Sequence, residues 1–178
     1  FAVYLCTIIE GSEMADPSYL EKYGIKTRKC FIGMERVTPD PLASLEEEEI
    51  VVSTSTMPLG DWKKTYTLTY ATVALFNFPL AFFVINFLHQ RFDVERIAFI
   101  EYIISEVFSN PSSYPRLSLG LNHLTRQQES ILENGDKLTR LPQIGGVTTP
   151  PGEAAAILFL EDLESFYSEL KKIILNYC

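Results

Sequence analysis

The sequence predicts a mainly α-helical chain with one transmembrane helix, amphipathic helices flanking it and long irregular segments. Three observations lead there. Thr65 to Leu88 is a run of 24 residues without a charge. Apolar residues recur at helical spacing in 94–108 and again in 153–177. Turn-forming residues cluster through 10–62 and 111–152. The expected division is an irregular segment 1–62, a transmembrane segment 63–92 and a helical region 93–178.

The first segment opens on Phe1 to Ile9, apolar but only nine residues long and without a basic region before it. It reads as a buried strand or a helix end rather than a signal peptide. Asp16-Pro17, Pro39-Asp40-Pro41 and Pro58-Leu59-Gly60-Asp61 are turn signals. Glu46 to Glu49 reads as a solvated, self-repelling surface segment, and Ile50 to Thr56 as a short β-branched strand.

The uncharged run follows. As a helix it would reach roughly 36 Å, enough for a hydrocarbon core of about 30 Å. Twelve of its residues are Leu, Ile, Val or Phe, contributing about −4 to −7 kcal/mol to insertion. Asn77, Pro79 and Asn86 each oppose it by on the order of 1–3 kcal/mol. Such a near-balanced span requires protein neighbours. Thr65, Thr69, Thr72, Pro79 and Asn86 would supply a helix-packing stripe on one face. Trp62, Lys63, Lys64, Tyr66 and Tyr70 at one end, with His89 and Arg91 at the other, suit the two interfaces. A second reading takes the alternation in Thr65 to Val73 as a strand. It would pair with Ile50–Thr56 as a hairpin, in a soluble α+β domain with a helix from Leu80.

Beyond His89, a helix is expected over Val94 to Phe108, with Ile97, Ile100, Ile103, Ile104, Val107 and Phe108 on one arc. Asn110-Pro111 stops it, and a modest helix is expected over Leu121 to Leu132. From Glu153 to Tyr177 one amphipathic helix is expected. Its residues Leu160, Leu163, Phe166, Tyr167, Leu170 and Ile174 would form a partner-facing apolar stripe, with Glu161 and Asp162 on the solvated side.

Chemistry is sparse. A net charge of −8 argues against a nucleic-acid partner, which needs clustered Lys and Arg. His89 and His123 lack metal-ligand spacing, and there is no G-x-S-x-G, Walker or G-x-G-x-x-G motif. The three cysteines, Cys6, Cys30 and Cys178, form no CxxC pair. Arg28 and Lys29 before Cys30 would favour its thiolate, the one opening for a nucleophile. No catalytic residue, cofactor or metal is therefore assigned. The expected role is a non-catalytic accessory subunit of a multi-subunit membrane complex, contacting other membrane subunits and lipid. An organelle membrane is expected from this architecture and from a first residue that is not Met. The mitochondrial inner membrane, with its respiratory chain or ATP synthase, comes before the thylakoid. The alternatives are a soluble mixed α/β interaction domain and an enzyme using Cys30.

Overall fold

The computed structural model describes residues 4–33, 35–37 and 46–177. Phe1, Cys178 and the turn at Pro39-Asp40-Pro41 lie outside them. The protein is mainly helical, with seven helices and two small sheets among the described residues. It divides into two compact units: Ala2–Tyr66 with Arg126–Pro150, and Thr67–Thr125 with Pro151–Cys178.

The first unit is built on a three-stranded antiparallel sheet. Strand β3 (Glu47–Ser53) lies in the middle, with β1 (Thr7–Ile8) on one side and β2 (Lys26–Phe31) on the other. Its second half, Ile50, Val51, Val52 and Ser53, is wholly buried, as a β-branched run on a central strand should be. Its first half holds most of the acidic run, of which Glu46 and Glu47 are exposed and Glu48 and Glu49 half-buried. Glu47 pairs with Lys29 at 3.6 Å. Glu48 accepts from Thr7 Oγ1 at 3.1 Å and pairs with Lys137. Glu49 accepts from Thr27 Oγ1 at 2.9 Å. The pleat sends successive acids to opposite faces, and each meets a hydroxyl or an ammonium.

Between β1 and β2, helix α1 (Pro17–Tyr23) starts on Asp16, whose Oδ1 accepts the Ser18 N–H at 2.8 Å, and ends on left-handed Gly24. The outer edge of β2 is closed by the turn around Gly135. Phe31 N–H donates to the Gly135 carbonyl at 2.9 Å and Arg28 to the Glu133 carbonyl at 3.3 Å. Gly135 has φ +72°, and a Cβ there would stand 2.5 Å from the Lys29 oxygen, so the turn requires glycine. A small pair, β4 (Thr139–Arg140) with β5 (Thr148–Thr149), completes the unit. Gln127 holds it by accepting from Thr139 Oγ1 and donating to the Asp136 carbonyl.

Two helices cross the division: α2 (Leu59–Thr72) and α5 (Pro115–Asn134). Thr65–Val73 is thus helix, and the expected hairpin with Ile50–Thr56 does not form. Trp62 and Tyr66 are four residues apart, and their rings meet at 5.4 Å along one helical face. That contact and the buried Ala71, Ala74 and Leu75 follow the helical period, which overrides the local Thr/Tyr alternation.

The second unit is all helical: the end of α2, α3 (Phe82–Phe92), α4 (Arg96–Ser109), the start of α5, α6 (Pro151–Leu160) and α7 (Leu163–Tyr177). Its core gathers Leu75, Ile85, Leu88, Phe99, Ile103, Leu117, Leu121, Phe159, Phe166 and Leu170. Gly120 lets α5 approach α6 closely, since a Cβ there would stand 2.2 Å from the Phe159 ring. The long C-terminal helix expected from Glu153 is in fact two. Asp162 Oδ1 accepts the Ser165 N–H at 3.0 Å and caps α7; hydrogen bonds from the Ser165 hydroxyl first and its N–H second hold the Asp162 carboxyl below the usual range. The expected 94–108 helix has its inward face at Phe99, Ile100, Ile103 and Val107, while Ile97 and Phe108 are exposed.

The start of α5 depends on a residue far along the chain. Glu169 of α7 is buried, and its two carboxylate oxygens accept the N–H groups of Arg116 and Leu117, each at 2.9 Å. A carboxylate at a helix N-terminus satisfies free donors and complements the dipole. Arg116 in turn donates to the Leu158 carbonyl at 2.9 Å and pairs with Glu161 at 3.0 Å, closing the end of α6. Replacing Glu169 by Ala should destabilise the fold by about 2–3 kcal/mol, because one buried and one part-buried donor lose their acceptor. Urea denaturation would measure this, against the exposed Glu164→Ala, expected within about 0.5 kcal/mol of the parent.

Candidate interaction surface

The uncharged run does not form one helix. After α2 the chain passes through a π-turn at Val73–Asn77 and breaks, and α3 leaves at 94° to the preceding segment. Pro79 causes the break. In a continued helix its ring would clash with the Leu75 carbonyl, and it disfavours helical backbone at Phe78, which is extended at φ −80°, ψ 107°. The carbonyls freed at the break find new donors: Val73 accepts from Phe78 N–H at 3.1 Å, and Leu75 from Ala81 N–H at 2.8 Å. Among the described residues no single helix is long and apolar enough to cross a membrane.

The expected packing stripe is dispersed by this corner. Thr65, Thr69 and Thr72 lie on α2, Pro79 in the break and Asn86 on α3. Thr72 Oγ1 donates back to the Leu68 carbonyl of its own helix at 2.7 Å. The stripe presupposed a straight helix, and the five residues share no single helical face.

On α3 the polar residues fasten the next corner. Asn86 donates to the Phe82 carbonyl and accepts from Arg96 Nε of α4, both at 2.9 Å. His89 Nδ1 lies 3.0 Å from the Val94 carbonyl. Asp93, left-handed at φ 56°, ends the helix. Ile85 and Leu88 point into the core. Exposed beside Gln90 and Arg91 are three aromatic rings: Phe83 is 76%, Phe87 59% and Phe92 59% exposed. Phe83 and Phe87 are one turn apart, and the Phe92 ring meets Phe87 edge-on at 5.9 Å. At about 200 Å² per side chain, these exposures amount to on the order of 400 Å² of aromatic surface, the size at which an exposed patch is commonly functional.

The expected partner-facing stripe at the C-terminus divides in two. Phe166 and Leu170 are buried in the unit's own core, and Ile174 is half-buried. Leu160, Leu163 and Tyr167 remain exposed, with Tyr167 Oη donating to the Leu80 carbonyl at 3.0 Å. Leu160 ends α6 and Leu163 begins α7, so the two lie on different helices.

Cys30 is a buried strand residue, and burial pushes its thiol up despite nearby Lys137 and Arg28. The expectation of an activated thiolate is therefore reversed. Burial likewise pulls the Lys137 ammonium below its usual range. No group of three His, Cys, Asp or Glu among the described residues is placed to hold a metal ion.

The α3 face and Glu169 escaped the sequence reading. The phenylalanines were hidden within a run that is apolar all round. One signal was present: Gln90, and Arg91 next to it, follow Phe83 and Phe87 at helical spacing, which marks that arc as solvent-facing. Comparison with protein-family models and with curated proteins finds no match for this chain.

Two outcomes are expected here. In the native protein, iodoacetamide at pH 8 should alkylate exposed Cys6 on the order of 100-fold faster than Cys30, with the difference lost in urea; peptide mass mapping reads both. The double substitution Phe83→Glu with Phe87→Glu should leave stability within about 1 kcal/mol and reduce binding of a hydrophobic dye. Loss of the folded state instead would place these rings in the core.

Proposed function

We propose that this chain is a non-catalytic interaction module working as part of a larger assembly, and that the phenylalanine face of α3 is its contact with a partner protein. One observation carries the reading: α3 commits its polar Asn86 and His89 to internal bonds and leaves three phenylalanines in solvent. A surface helix ordinarily covers rings of this size and leaves its polar side chains to solvent. A standard interface needs about 800 Å² from each side. The aromatic patch would supply its centre, and the exposed Gln90, Arg91 and Asp93 a polar rim.

A second reading keeps the membrane. The segments Leu59–Asn77 and Phe82–Phe92 together have the length and composition of a broken span. In that case the phenylalanine face meets lipid, and the chain is an accessory subunit of a membrane complex, in the mitochondrial inner membrane before the thylakoid. The first reading is favoured because Ala71, Ala74, Leu75, Ile85 and Leu88 of these helices are already covered by protein in their own unit. Lipid is not needed to shield them.

Photo-crosslinking separates the two. With p-benzoylphenylalanine at position 83 of the full chain in its native cells, a discrete protein adduct is expected, and none from exposed Glu129. Adducts with lipid alone would support the second reading. Absence of any adduct at 83 would refute a contact there.

A further inference from the structure

We draw no further inference here: the strongest candidate outside the α3 face, the Glu48–Lys137 pair beside the buried Cys30 of the first unit's sheet, carries nothing, because the two charges satisfy each other and what remains is a lone buried cysteine with no second observation pointing to a ligand.

Discussion

Pro79 imposes the constraint on which the second unit depends. From Thr65 to Asn77 the chain is helical and uncharged. A proline at that point removes one donor, blocks the Leu75 carbonyl from its ordinary partner and holds Phe78 extended. The 94° corner follows. It brings Ile85 and Leu88 of α3 into the same core as Ala74 and Leu75, so the apolar run covers much of its own surface. The Asn86–Arg96 bond then fixes the next corner into α4. The exposed phenylalanines result from this geometry: a short helix with one face in the core has another face left over.

Elsewhere the fold relies on long-range polar contacts at the ends of regular elements. Glu169 completes the N-terminus of α5 from 52 and 53 residues away. Arg116 closes the end of α6. In the sheet unit, Thr7, Thr27, Lys29 and Lys137 offset the charge on β3. Each is a tertiary substitute for a local signal that the chain lacks. Such contacts matter because an unmet buried donor or charge costs as much as several methylenes gain on burial.

This explains what could be read in advance. Ile100, Ile103 and Val107 of α4 and the Phe166–Leu170 face of α7 are legible, since helical period depends only on nearby residues, whereas Phe99 lies outside the expected arc and Ile97 and Phe108 within it are exposed. Asp162 is not legible as a cap, because an acid on a solvated helical face and an acid capping a new helix look alike until the backbone bends. The full length of α5 was hidden by Ser118, Gly120 and Asn122, which blur its apolar pattern, and by a cap supplied from α7. The β-branched half of β3 is legible from Ile50 onward, but its acidic start at Glu47 and its pairing with β1 and β2 are not, because the partners of those acids lie on other segments. In the sequence Pro79 counts only as a cost to insertion. Its larger effect, dividing the run and exposing the α3 phenylalanines, needed the direction of the chain after the break.

The corner at Pro79 can be measured directly. Spin labels at Thr69 and Gln90 would stand roughly 32 Å apart along one straight helix, at about 1.5 Å per residue, and roughly 20 Å apart across a right-angled break. A pulsed dipolar measurement on the full chain, in detergent-free buffer and again with lipid vesicles, should give the shorter distance in both. A distribution centred on the longer distance in vesicles would contradict the account and restore a straight membrane-spanning helix.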